Sequence, residues 1–110
     1  MSSKKNQDPV FKALADGRRR AILDLLKHEP LTTGEICARF PNLDRCTVMQ
    51  HLGVLEKAEL IIVQRVGRLR WNYLNAVPIR EIYDRWISQY ADFPAALLTK
   101  LKGDLEATPR

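Results

Sequence analysis

The sequence predicts a mostly α-helical fold that carries a two-stranded β-hairpin and closes on a long C-terminal helix. Three observations predict it. Up to Leu55, apolar residues recur at helical spacing behind recognisable helix starts. At Leu60 the period changes to a β-branched run, Leu-Ile-Ile-Val-Gln-Arg, and a second run follows from Leu69 to Leu74. From Pro78 an apolar stripe at helical spacing returns, through Ile79, Ile82, Tyr83, Trp86, Tyr90 and Phe93.

Residues 1–7 read as a disordered basic arm and residues 8–110 as a single domain. Asp8-Pro9 starts the first helix, because Asp can cap and Pro is tolerated at the first helical position. Val10, Phe11 and Leu14 give that helix an apolar face, and Asp16-Gly17 interrupts it. A second helix with Ile22, Leu25 and Leu26 runs to about His28, before Pro30. Thr32 or Thr33 caps a short third helix, with Glu35 at capping-box spacing from Thr32. Pro41-Asn42 turns the chain, and Asp44 caps a fourth helix whose Val48, Leu52 and Leu55 form one face. Val66-Gly67-Arg68 joins the two strands, with Gly67 free to take positive φ. Pro94 must end or kink the last helix, after which Ala95–Leu101 resumes a shorter one.

A chain of 110 residues is one domain's worth, and two cysteines are too few for a disulfide scaffold. No apolar run approaches the ~20 residues of a membrane span, and the N-terminus carries no secretory pattern, so a cytoplasmic protein away from membranes is expected. The formal charge of +5 is unevenly placed. Residues 1–20 and 60–80 each carry +4, the second stretch without a single acid, whereas residues 21–59 sum to −2. Gathered positive charge suits a phosphate backbone better than charge spread evenly over a surface.

Two short helices joined by a tight turn, with a basic hairpin directly after the second, describe a winged helix-turn-helix. Such a helix fits the major groove of duplex DNA, and the hairpin can lie along the backbone beside it. The residues also resemble those of the ArsR family of bacterial winged-helix repressors. Phe11-Lys-Ala-Leu-Ala-Asp-Gly-Arg-Arg-Arg-Ala-Ile-Leu-Asp-Leu-Leu26 is similar to that family's opening helices. Thr47-Val-Met-Gln-His-Leu-Gly-Val-Leu-Glu-Lys-Ala-Glu-Leu60 is similar to its recognition helix and the turn into the wing. Leu74-Asn75, Pro78 and Trp86 match the start of its C-terminal helix. Glu59 stands where the family usually has glycine, which predicts a looser helix-to-strand turn. The resemblance implies a homodimeric DNA-binding regulator, usually a repressor acting at an inverted repeat.

Arg45, Cys46, Thr47, Met49 and Gln50 fall on the exposed side of the fourth helix, where Gln50 could pair with adenine and Arg45 with guanine or phosphate. Thr32 and Thr33 read either as phosphate contacts or simply as caps. His51 reads either as a phosphate contact or as a satisfied structural residue. Arg68 and Arg70 are expected on the DNA backbone or in the minor groove, and Arg65 along the strand toward solvent. Arg18, Arg19 and Arg20 cannot all face one partner, so at least one is expected in a structural ion pair. Val10, Phe11, Leu14, Tyr83, Trp86, Tyr90 and Phe93 are assigned to a symmetric interface between two copies, which makes the N- and C-terminal helices of the domain its expected dimerisation helices.

In arsenic and cadmium sensors of the family a Cys-x-Cys pair occupies the place where this chain has Cys37 and Arg39. A cation thus replaces one thiolate ligand, and residues 78–110 contain no histidine for the family's other zinc site, so no metal or other cofactor is expected. Cys46 keeps a redox-responsive repressor open as an alternative. An enzyme is disfavoured, since no phosphate loop or nucleophile elbow is present. A winged helix used only for protein contact is the other rival, and the acid-free arginine hairpin speaks against it.

Overall fold

The computed structural model describes residues 6–91 and 93–107. Most of the expected N-terminal arm, residues 1–5, lies outside them. The elements run α1 (Asp8–Leu14), α2 (Gly17–Leu26), β1 (Leu31–Thr32), α3 (Thr33–Arg39), α4 (Arg45–Lys57), β2 (Ile61–Val66), β3 (Leu69–Leu74) and α5 (Val77–Ile82). A π-helical turn (Tyr83–Ile87), α6 (Ser88–Ala91) and α7 (Ala95–Ala107) complete the chain. This is a mostly helical winged helix-turn-helix.

Local chemistry explains most boundaries. Asp8 is itself the first residue of α1 rather than its cap: Gln7 occupies the N-cap position without a side-chain capping bond, and the Asp8 N–H donates to Asn6 Oδ1 at 3.0 Å. Asp16 caps α2 by accepting from the Arg18 N–H. Thr32 and Glu35 form a full capping box at α3, the Glu35 N–H donating to Thr32 Oγ1 at 3.1 Å and the Thr32 N–H to Glu35 Oε1 at 2.8 Å. Asp44 caps α4 by accepting from the Thr47 N–H at 2.8 Å, an arrangement typically worth ~1 kcal/mol.

The hairpin pairs β2 with β3 in antiparallel register from Ile61↔Leu74 to Val66↔Leu69, leaving Gly67 and Arg68 as a two-residue loop. Gly67 has φ 62, as the first loop position of a type II′ turn requires. The two expected strands gain a third. β1 pairs with β3 through Leu31↔Asn72 and Thr32↔Trp71, so the sheet order is β1-β3-β2. Asn72 is fully buried at this junction and donates to Leu31 O and Thr33 Oγ1, both at 3.2 Å. A buried amide thus stitches the base of the wing to the start of α3.

The core is filled by Ile22, Ile36, Val48, Leu52, Leu55, Leu60 and Ile82, each at most 2% exposed, drawn from α2, α3, α4, the corner after α4 and α5. Val10, expected at an interface between copies, belongs to this core, and Leu14 packs against it half-buried. Both turn inward because α1 lies across α2 and α4, and little of either is left for a partner.

The corner from α4 to β2 is not loosened by Glu59. Glu59 takes φ 62, its N–H donates to Glu56 O, and the Leu60 N–H donates to Leu55 O, both at 2.9 Å. This is the Schellman closure that glycine normally serves, made here by a residue whose Cβ opposes the left-handed backbone. Glu59→Gly is therefore expected to raise the unfolding free energy by about 1 kcal/mol, read as a higher urea midpoint at unchanged m-value. An unchanged or lower midpoint would show the backbone there to be unstrained.

Candidate nucleic-acid interface

α4 presents two distinct sides. Val48, His51, Leu52 and Leu55 are buried, which turns Cys46, Gln50, Gly53 and Lys57 outward, with Arg45, Met49 and Glu56 along the flank nearer the hairpin. Arg45, Cys46, Met49 and Gln50 are exposed as the spacing predicted, whereas Thr47, expected beside them, is half-buried at the start of α4, where its N–H donates to Asp44.

Between this flank and the hairpin runs a groove lined by Thr32, Thr33, Gly34, Arg45, Met49, Arg65, Arg68, Leu69 and Arg70. Four guanidinium-bearing side chains thus border one concavity. Arg65, expected to point along the strand toward solvent, lines this groove with the others. The reason is register: Arg65 lies directly opposite Arg70 across the β2–β3 ladder, so both project from one face of the hairpin. Like charges directly opposite repel, and an acid on α4 offsets the charge of Arg70. Arg70 donates through Nη2 to Glu56 Oε1 at 3.1 Å, and its side chain is 22% exposed. Arg45, Arg65 and Arg68 are exposed, which leaves the groove strongly cationic.

Thr32 and Thr33 form the floor of the groove and are 8% and 3% exposed. Their hydroxyls are engaged, Thr32 as the cap of α3 and Thr33 as acceptor from Asn72, so capping accounts for Thr32 and the wing junction for Thr33. The first positive island has a different fate from the second. Arg18 binds Asp16 at 2.9 Å, the structural ion pair that the sequence required of one of the three arginines. Arg19 donates to Ala13 O at 2.8 Å and Lys12 O at 3.0 Å, and Arg20 donates to Leu14 O at 2.6 Å. Arg19 and Arg20 therefore satisfy the carbonyls at the end of α1, a position that also favours cations.

His51 is 6% exposed and turned away from the outer side of α4. Arg19 Nη1 approaches its Nδ1 at 3.3 Å. A guanidinium only donates, so Nδ1 is the acceptor and the proton sits on Nε2. Burial pulls the imidazole pKa below its usual 6.5, and Arg18 and Arg19 push the same way against the opposing pull of Asp16. A depressed base pKa contributes stability that is full above 6.5 and is lost as pH falls through that value toward the folded-state pKa. Urea midpoints are expected to drop between pH 7.5 and 5.5, and His51→Gln to flatten that drop. Asp16 and Asp44, both held below 3.8 by N–H donors and, for Asp16, by the Arg18 guanidinium, act in a separate and more acid window.

Cys37 is half-buried and Cys46 exposed, both as free thiols. Among the described residues, no group of three or more His, Cys, Asp or Glu is placed to hold a metal ion, and no helix is long and apolar enough to cross a membrane.

On the opposite side of α1, Phe11 meets Trp86 edge to face at 5.6 Å, and Trp86 meets Tyr90 at 5.3 Å. The π-helical turn inserts one extra residue per turn here and rotates the stripe off the core. Ile82 is buried, whereas Tyr83, Trp86, Tyr90 and Phe93 are 46%, 49%, 62% and 49% exposed. Together with Phe11 they leave an aromatic face uncovered.

Comparison with known proteins agrees with this architecture. The family described as a helix-turn-helix domain matches residues 14–64, which contain α2 to α4 and the start of β2. Transcriptional repressor SdpR of Bacillus subtilis (strain 168) is 39% identical over 72 residues, covering 66% of this chain and 79% of SdpR. The crystal structure of a possible transcriptional regulator for arsenical resistance superposes with a TM-score of 0.68 at 27% identity, covering 96% of this chain and all of the other. An ArsR family transcriptional regulator gives 0.67 at 25% identity over 99% of this chain and all of its own. The chain belongs to the ArsR-type winged helix-turn-helix transcriptional regulators.

Proposed function

We propose that the protein is a homodimeric repressor that reads a short inverted repeat in duplex DNA. The observation that carries this reading is the groove in which Arg45, Arg65, Arg68 and Arg70 converge beside the outer face of α4. A major groove receives the helix while phosphates of the flanking backbone meet the arginines. Gln50 and Arg45 are the base-reading candidates, and Cys46, Thr47 and Met49 lie beside them. Arg65 and Arg68 contact phosphate, and Arg70 does so while tethered to Glu56. His51, Thr32 and Thr33 act through packing and capping. Phe11, Tyr83, Trp86, Tyr90 and Phe93 supply the dimer face, which spaces two α4 helices about one DNA turn apart. Occlusion of a promoter gives repression, and the repressor name of SdpR supports that direction of control.

Fluorescence anisotropy tests the reading with the duplex upstream of the protein's own gene against a scrambled duplex, at two salt concentrations. The expected result is at least ~10³-fold preference for the native duplex, with affinity falling steeply with salt. Equal, weak binding to both would overturn specific regulation at that site. No binding at low salt would favour the protein-docking alternative.

A second reading adds redox control and is favoured by the exposure of Cys46 in the first turn of α4, against the DNA-facing side. Peroxide that weakens DNA binding of the native protein but not of Cys46→Ser would establish it. Equal sensitivity of the two would end it.

A further inference from the structure

We infer that the contact between Arg19 and His51 is a proton-operated latch that holds α4 in its DNA-reading position, so that acid releases the protein from its specific duplex. The inference rests on the DNA-binding reading above and adds to it a pair of positioning residues and a releasing signal.

His51 directly follows Gln50 on α4 but lies on the inner side of the helix, where it is 6% exposed. Arg19 donates to it from Nη1 to Nδ1 at 3.3 Å, while Arg19 Nε and Nη2 hold the carbonyls of Ala13 and Lys12. This link from α1 to α4 lasts only while Nδ1 keeps its lone pair. Protonation turns Nδ1 into a donor facing a donor and sets two cations 3.3 Å apart. The other ring nitrogen gives no relief, since Nε2 is buried and has no hydrogen-bond partner among the described residues. Asp16 supplies the open position of the latch. Its Oδ2 lies 3.9 Å from Arg19 Nη1, so a charged ring drives the guanidinium toward that carboxylate and away from α4.

The charges that act on the ring come from the corner between α1 and α2. Burial opposes protonation most, Arg18 and Arg19 add to it, and Asp16 works the other way. Charges on the elements packed around α4 are engaged elsewhere. Glu35 of α3 caps its own helix, and Arg39 is exposed at the end of α3. Asp24 pairs with Lys27 on the outside of α2, and Arg20 holds Leu14 O. Arg65 of β2 lines the arginine groove, whereas Asp8, Lys12 and Lys57 border a separate hollow with Val54.

Free protein, in which α4 can shift, takes up a proton that DNA-bound protein excludes. Proton and duplex therefore compete, and specific affinity falls with pH by at most about tenfold per unit for each proton. Charge alone predicts the opposite sign, because every added proton makes the protein more attractive to phosphate.

The test is fluorescence anisotropy with the duplex upstream of the protein's own gene and a scrambled duplex, from pH 7.5 to 5.0 at fixed ionic strength. It compares the native protein with His51→Gln, whose amide oxygen can accept from Arg19 but does not titrate, and with His28→Gln, changed at an exposed site beyond α2. Specific binding should weaken at least ~3-fold over this range in the native protein and in His28→Gln. In His51→Gln it should change less than ~2-fold, whatever its starting affinity. Far-UV circular dichroism at each pH checks that the domain stays folded. Calorimetry of the native protein in two buffers of different ionisation enthalpy, near pH 5.5, gives a readout that needs no variant: binding should release protons. Native affinity that stays level or rises toward pH 5.0, an equal fall in His51→Gln, or binding without proton release would overturn the latch and leave the DNA reading standing. No preference for the native duplex at pH 7.5 would overturn both.

Discussion

Arg45→Ala combined with Arg68→Ala is expected to weaken specific DNA binding by about 10- to 100-fold and, through the lost Arg68 phosphate contact, to reduce the salt slope by roughly 1. Both side chains are exposed and border the same groove, one from α4 and one from the hairpin loop, so removing them costs the fold little. Anisotropy titrations over a range of salt, with urea unfolding as a control on folding, check the result. Unchanged affinity at unchanged stability would remove the groove from the interface. A companion variant makes the reasoning sharper. Glu56→Ala deletes a negative charge beside four arginines, which by charge alone should strengthen binding. Because Glu56 anchors Arg70 on the flank of α4 at 3.1 Å and relieves its repulsion by Arg65, the expected result is several-fold weaker binding instead. Tighter binding would show that Glu56 competes with phosphate rather than positions the wing.

The second large effect lies in the core. Leu52→Ala is expected to destabilise the protein by about 2–5 kcal/mol, a large share of the ~5–15 kcal/mol available to a domain of this size. Leu52 is 0% exposed on the inner face of α4, against which α1, α2 and α3 pack, so the cavity falls where the surrounding elements are least able to close over it. Thermal unfolding should show a midpoint lower by about 10–40 °C, at ~4–8 °C per kcal/mol for a domain near this length. Leu105→Ala, at a position 67% exposed in the protomer, is the contrast, and at concentrations where the chain is monomeric it should change little. Similar losses for the two would mean that α7 belongs to the fold of the single chain.

What could be read from the sequence was local. The Thr32–Glu35 capping box, the Asp44 cap, the Gly67 turn and the switch of period at Leu60 each depend on residues within a few positions of one another, and each stands in the structure. Features made between distant segments were not legible. β1 is two residues long, too short for any period, and exists because β3 supplies its partner some forty residues later. Asn72 reads as an ordinary polar position of a strand, yet it is buried because Leu31 and Thr33 arrive to accept from it. Arg65 enters the groove through its register with Arg70, which no spacing along a single strand reveals. Glu59 looked like a relaxed turn because a glycine was missing, but the helix end forces left-handed geometry whatever residue stands there. The arginine run at 18–20 gave the charge of an island without its purpose, which is to close the ends of two helices.

Arg19 has one more consequence. Its single guanidinium grips the last turn of α1 by two carbonyls and touches α4 at His51, bracing two helices that point at different partners. In the proposed dimer Phe11 of α1 would lie at the seam and α4 at the DNA, so the brace would gear one to the other. A tilt at the seam becomes a change of pitch in the groove. The distance between half-sites that such a dimer accepts would then depend in part on a side chain engaged wholly within its own protomer.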